Sequence, residues 1–122
     1  MYTGPNSSTT GLVLALDAAN PKSYVSGSAT WFDLSGNRNS GSLVNGAVFD
    51  SSKLGNIYFD GIDDYVNFNL INLSNVFTIN IFAKPDRVSG TNTLICPTSN
   101  NVDNWISVTN SQMVFYATEF AD

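Results

Sequence analysis

Apolar and polar residues alternate with a period of two along several short stretches of this chain. The clearest stretch is 77–84, in which every odd position is apolar and Phe82 falls on the opposite face. Shorter stretches with the same alternation lie at 57–59 and 65–68. Because successive side chains of a β-strand point to opposite faces, this pattern predicts half-buried strands. No stretch has a 3.6-residue apolar period long enough to predict a helix, so the chain is predicted to be all-β.

Turn signals separate the apolar stretches. An asparagine–glycine dipeptide stands at 45–46 and an aspartate–glycine dipeptide at 60–61. Both allow a positive φ, so each predicts a hairpin between the stretches that flank it. Residues 12–17 are almost continuously apolar, which predicts a strand covered on both faces. The remaining predicted strands are 93–96, 105–109 and 112–119, the last two forming a hairpin.

The amino-acid composition argues against several classes of function. The net charge is −5 and no Lys/Arg cluster exists, which argues against binding to nucleic acid or to an anionic membrane. The absence of histidine excludes Ser-His-Asp and Cys-His catalysis and His-ligated metals. Cys96 is the single cysteine, so no intrachain disulfide forms, and its apolar neighbours predict a small buried side chain. No stretch approaches the roughly 20 apolar residues of a membrane span.

The carboxylates do not form the pair that a glycosidase needs. Such an enzyme places two carboxyl groups on either side of the scissile bond. Glu119 is the only glutamate, and it stands alone near the end of the chain. We therefore predict that the chain is not an enzyme.

Three aspartates, Asp60, Asp63 and Asp64, cluster around the second turn signal. Calcium takes six to eight oxygen ligands, and three carboxylates are a start toward such a set. Their spacing lacks the pattern of a calcium loop, however, and Asp60 can accept backbone N–H bonds within its own turn. We predict turn chemistry with no metal and no cofactor, and calcium bound by these three aspartates is the alternative.

A sugar-binding face needs an exposed aromatic ring with polar side chains beside it. Phe82 on the outer face of its predicted strand is the first candidate, with Trp105 and Tyr116 as possible neighbours and Asn80 as a hydrogen-bonding partner. The alternative is that these rings lie in the core or under a loop.

Four motifs together identify a resemblance to a known superfamily. They are 11–21 (GLVLALDAANP), 31–39 (WFDLSGNRN), 59–66 (FDGIDDYV) and 77–85 (FTINIFAKP). Residues 59–66 resemble the FDG-x-DDYV signature of the laminin-G-like, concanavalin A-like jelly-roll superfamily. The other three resemble its first strand, its W-x-DLSGN-x-N loop and its FTISAWVKP strand, with Phe82 where a tryptophan is usual.

The resemblance implies an antiparallel β-sandwich of the jelly-roll type. We expect residues 1–10 to be an arm and residues 11–122 to be the domain. Such a sandwich normally continues for several strands after the equivalent of 113–120. The chain is therefore expected either to be the N-terminal part of a longer domain or to be completed by neighbouring subunits.

The opening of the chain resembles the openings of structural proteins of tailed phages. That resemblance implies a non-enzymatic virion protein of the fibre, tail or capsid decoration, made in the host cytoplasm. Its partners would be other virion proteins or copies of itself, with a surface glycan as a further ligand and neither nucleic acid nor membrane. The alternative is a carbohydrate-binding module of a bacterial surface or secreted protein.

Overall fold

The chain is rich in antiparallel strands. The computed structural model describes residues 10–69, 71–87, 89–96, 104–109 and 112–117. The strands are β1 (Thr30–Trp31), β2 (Gly41–Val44), β3 (Val48–Asp50), β4 (Asn56–Tyr58), β5 (Tyr65–Phe68), β6 (Thr91–Ile95), β7 (Asn104–Thr109) and β8 (Gln112–Ala117). Every strand pair is antiparallel, and the helical content of these residues is one 3-10 turn at Ser51–Lys53. The all-β prediction is confirmed.

Two compact units divide the chain, Met1–Phe77 and Thr78–Asp122. Residues 1–9 of the predicted arm and Glu119 lie outside the described residues. In the described part of the chain, no helix has the length and apolar character needed to cross a membrane.

The first unit contains two sheets, one with the order β1-β2-β5 and one made of β3 and β4. In the larger sheet Leu43 lies opposite Val66, and in the smaller sheet Phe49 lies opposite Ile57. The chain therefore passes from one sheet to the other after β2 and returns after β4. Both predicted hairpins are wrong, because each turn connects strands of different sheets.

The turns themselves have the predicted backbone conformation. Asn45 and Gly46 have φ values of 65° and 117°, and Gly61 has a φ of 76°. A positive φ reverses the chain locally, but it does not choose the strand that receives the next hydrogen bonds. That choice depends on which pairing buries the apolar row of each strand, and this information is not local.

Residues 12–17 form no strand, so that prediction is wrong. They are half-buried, as their apolar character predicts, but their backbone is bound by another segment. Ala15 donates its N–H to a carboxylate oxygen of Asp33, and its carbonyl accepts the N–H of Leu34. A backbone whose polar groups are satisfied in this way does not need a strand partner.

The buried centre of the first unit lies at residues 23 and 24. Tyr24 is 5% exposed, and its ring stacks on Phe49 with 5.2 Å between the ring centres. Ser23 is fully buried, and its hydroxyl donates to the Phe32 carbonyl at 2.6 Å and accepts the Asp17 N–H at 3.1 Å. One serine thus joins three chain segments through hydrogen bonds.

The second unit contains the three-stranded sheet β6-β7-β8, with an irregularity in β6 between Thr93 and Ile95. Pairing of β7 with β8 confirms the predicted final hairpin. Cys96, which follows β6, is exposed, so its predicted burial is wrong. The apolar residues near it in the sequence are part of an alternating strand rather than of a buried cluster.

The stretch 77–84 forms no strand, although it has the clearest alternation in the chain. Its side chains are exposed, with Phe82 at 97% and Ile79 and Ile81 at 40% each. A strand needs hydrogen bonds from a neighbour as well as an alternating sequence. The described residues provide no such neighbour for this stretch.

Candidate functional site

The carboxylate of Asp33 is the centre of a hydrogen-bond network in the first unit. Its Oδ1 accepts the N–H groups of Ala15 at 3.0 Å and of Ser35 at 2.8 Å. Its Oδ2 accepts the Ser35 hydroxyl at 2.6 Å and the Asn39 N–H at 3.0 Å. The Asp-x-Ser part of this arrangement is a local turn, whereas Ala15 is 18 residues away, so one carboxylate fixes both a turn and a long-range contact.

The hydrogen bonds also decide the acidity of this group. Burial alone would raise the pKa of Asp33. Donation from the Ser35 hydroxyl and from the backbone N–H groups of Ala15, Ser35 and Asn39 outweighs burial and holds the pKa of Asp33 below its ordinary value. Each of these bonds favours the charged carboxylate, which accepts but cannot donate.

Two asparagines extend the same network along the backbone of residues 12–13. Asn37 donates its side-chain amide to the Leu12 carbonyl at 2.7 Å. Asn39 donates its side-chain amide to the Val13 carbonyl at 2.9 Å. Segment 33–39 therefore holds residues 12–15 in place through hydrogen bonds. We call these contacts between the two segments the clamp.

A shallow polar cavity lies beside the clamp. Its volume is about 640 Å³, and its wall contains Gly11, Ser35 and three asparagines, Asn37, Asn39 and Asn72. Sequence reasoning did not identify these residues as a site. The only signal was the density of Asn and Ser in 35–39, which is also typical of turns.

The three aspartates considered for calcium do lie together. Asp60, Asp63 and Asp64 each offer a carboxylate oxygen, and these oxygens are within 4.8 Å of one another. The predicted turn chemistry is also present, because Asp60 Oδ1 accepts the Ile62 N–H at 2.8 Å. Asp64 Oδ2 accepts the Asp60 N–H at 2.9 Å, which further closes this loop.

This acidic loop contacts the turn that follows β2. Asn45 donates its side-chain amide to the Asp63 carbonyl at 2.9 Å. Asp64 Oδ1 is buried without a hydrogen-bond partner among the described residues, and a methyl group on Gly46 would lie 3.5 Å from it. The three carboxylates would be the protein ligands of a bound cation, and water would have to supply the rest of a calcium shell.

The predicted sugar-binding residues belong to the second unit. Phe82 is almost fully exposed and Asn80 is exposed, both in the stretch without a strand partner. Trp105 and Tyr116 are partners in the backbone register of β7 and β8. Phe82 does not have the burial that the alternative required.

Comparison with known protein families, with curated proteins and with solved structures found no match to this chain. The laminin-G-like resemblance consequently rests on the motifs of the sequence alone. What the structure adds is the all-β class and a physical role for two of these motifs, 31–39 in the clamp and 59–66 in the acidic loop.

Proposed function

We propose that this chain is a non-enzymatic structural protein of a tailed-phage virion, in the fibre, tail or capsid decoration. It acts by packing against other subunits, and its fold is a jelly-roll sandwich that those subunits complete. The order of the four laminin-G-like motifs supports this proposal, as does the resemblance of the opening residues to phage structural proteins. The exposed stretch 78–82 is the structural observation that carries it.

The stretch 78–82 combines two properties of an assembly surface. Its apolar side chains are exposed, Phe82 at 97%, and its backbone forms no strand. Burial of exposed apolar area is favourable by about 25 cal/mol per Å², and a segment without a strand partner can add as a strand to the sheet edge of another chain. In our proposal, a neighbouring virion subunit covers these apolar side chains and provides the sheet edge with which the backbone of 78–82 pairs.

Adhesion to a surface glycan is the second part of the proposal. Phe82 offers an exposed ring for stacking, and Asn80 offers an amide two residues away. Trp105 and Tyr116 are adjacent by register in the same unit. The same exposed ring also favours the second candidate function, a carbohydrate-binding module of a bacterial surface or secreted protein that works as a monomer.

Light scattering of the full 122-residue chain over a range of concentrations tests the packing proposal. We expect oligomers that Phe82→Ser weakens by about tenfold or more, because burial of a phenylalanine side chain contributes about 1.5–3 kcal/mol. Leu54→Ser is the matched control, since Leu54 is 92% exposed and lies in the first unit. A monomer at every concentration would contradict packing through this stretch.

The virion assignment is tested by mass spectrometry of phage particles purified by density. The particles are taken from the sample whose DNA encodes this chain. We expect peptides of this chain in the particles at a fixed ratio to the other structural proteins. Their absence from particles, together with glycan binding by the isolated monomer, would replace the virion proposal with the carbohydrate-binding module.

A further inference from the structure

An apolar groove of about 460 Å³ lies in the first unit. Its wall contains Tyr24, Leu43 of β2, and both Val48 and Phe49 of β3. No charged residue lines it, and Val48 is 55% exposed. Burial of such apolar surface is favourable, so the groove is a surface that an apolar partner would stabilise.

The groove follows one edge of β3. Val48 and Phe49 are successive residues of this strand, so their side chains point to opposite faces. Both nevertheless line the groove, whereas no residue of β4 does. The groove therefore runs along the edge of β3 that faces away from β4. In the described part of the chain β3 has no strand on that edge, and a sheet of two strands alone is marginally stable. An extended segment in the groove would be the third strand of this sheet.

The acidic loop borders the groove at Gly46, just before β3 begins. Gly46 lines the groove, and a methyl group on it would lie 3.5 Å from Asp64 Oδ1. Asp60 and Asp63 are exposed, and the three carboxylates offer oxygens within 4.8 Å of one another. Negative charge is therefore concentrated at this end of an uncharged groove. The groove suits an apolar segment that ends in a positive charge.

Segment 78–84 of the second unit has this composition. Phe82 is 97% exposed, and Lys84 is exposed and has no ion pair among the described residues. Lys84 is also the only charged residue in 78–85. In an extended segment these two side chains point to the same side, about 7 Å apart. Pro85 follows and has no N–H with which to continue a strand.

We propose that the groove binds segment 78–84 of a second copy of this chain, antiparallel to β3. Phe82 enters the groove and Lys84 lies beside the acidic loop, which sets the direction of the segment. This inference rests on the packing role of 78–82 in the proposed function and names the surface that accepts it. The two sides of the contact differ, so each copy binds two neighbours and the copies form a closed ring or an open filament.

Light scattering of the full chain with Val48→Lys tests the groove. Val48 is an exposed strand residue, so the substitution is compatible with the fold, but the new charge meets Phe82 and repels Lys84. We expect association to weaken about tenfold or more, as for Phe82→Ser. Val25→Lys is the matched control, since Val25 is 56% exposed, lies in the first unit and is outside the groove wall. It should associate like the unmodified chain.

An equimolar mixture of Val48→Lys and Phe82→Ser identifies the two sides of the contact. The first variant retains segment 78–84 and the second retains the groove, so one intact contact is available to each pair of chains. We expect complexes of one chain of each variant that do not grow further with concentration. Each variant alone should be largely monomeric under the same conditions. Formation of the pair also shows that both variants are folded.

Charge reversal tests the contact between Lys84 and the acidic loop. Lys84→Glu should weaken association about fivefold at low salt, and less at high salt, because exposed charges are screened. Asp63→Lys combined with Lys84→Glu should restore association, since the attraction is then reversed rather than lost.

Three results would overturn the proposal. The first is that Val48→Lys associates like Val25→Lys, and the second is that the mixture forms no pair. The third is that Asp63→Lys does not restore the association of Lys84→Glu. If Phe82→Ser weakens association and Val48→Lys does not, the groove is wrong and packing through 78–82 stands. If neither weakens it, packing through this stretch fails as well, so the two proposals are distinguished.

Discussion

The carboxylate of Asp33 joins a local turn to the distant residue Ala15 in the first unit. This carboxylate accepts four hydrogen bonds, and these hold its pKa below the ordinary value. A carboxyl group with a lowered pKa in the folded state stabilises the fold above its unfolded pKa, which is about 3.9. That contribution is lost as the pH falls through the folded value.

We therefore expect Asp33→Asn to lower the free energy of unfolding by about 1–3 kcal/mol near neutral pH, because the amide oxygen cannot replace both carboxylate oxygens. The difference from the unmodified chain should shrink as the pH falls below about 4. Urea denaturation across this pH range measures it. Asp86→Asn is the control, an exposed carboxylate without a hydrogen-bond donor among the described residues. A difference that stays constant with pH would contradict the argument.

The acidic loop and the clamp differ in how far the sequence could predict them. The turn role of Asp60 was predictable because its donor, the Ile62 N–H, is two residues away. The clamp was not, because Asn37 and Asn39 bind carbonyls 25 and 26 residues earlier in the chain. Single-sequence patterns describe neighbours along the chain, whereas the polar cavity exists only after distant segments meet.

At the scale of elements, the alternation of side chains predicted strands better than it predicted their partners. β5 was predicted with the observed bounds, and β7 and β8 were predicted to pair, as they do. Neighbours along the chain form that hairpin, so local information was sufficient. β2 and β5 are separated by two strands of another sheet, and no local turn signal reports such a pairing.

The start of β4 provides a test of how elements are held together. Gly55 has a φ of 93°, and a methyl group there would lie 2.8 Å from the Cα of Ala19. Gly55→Ala should therefore destabilise the chain by about 2–4 kcal/mol, through both backbone strain and overpacking. Gly27→Ala isolates the first effect, because Gly27 has a φ of 83° and open space around it, and should cost about 1–2 kcal/mol. Equal losses in thermal denaturation would mean that β4 does not approach residue 19.

For the whole molecule, the division into two units at residues 77–78 coincides with a stretch that has no strand partner in the described residues. The sequence predicted the clearest strand of the chain in that place. Both observations agree if the stretch obtains its hydrogen bonds and its apolar cover from another chain. Association with that chain would then determine how accessible this stretch is to solvent and to a protease.

Limited digestion with trypsin tests this relation between accessibility and association. Arg87 is exposed, although Asn92 donates a hydrogen bond to its carbonyl at 3.1 Å, and Lys84 is protected because proline follows it. The other three basic residues lie in segments held by hydrogen bonds. Lys22 lies in a turn in which Asn20 accepts its N–H, and Arg38 lies in the clamp beside Asn39. Lys53 is the last residue of the 3-10 turn that Asp50 caps.

We expect the first cut after Arg87 in dilute solution, because an exposed segment without strand pairing opens locally at little cost. The fragments would be 1–87 and 88–122. The same cut should become slower as the protein concentration rises, since a neighbouring subunit covers the stretch 78–82 in our proposal. Arg87→Gln should remove this first cut and leave the later ones in place. A first cut after Arg38 would mean that the clamp is weaker than its hydrogen bonds indicate. A rate independent of concentration would mean that the exposed stretch has another role than assembly.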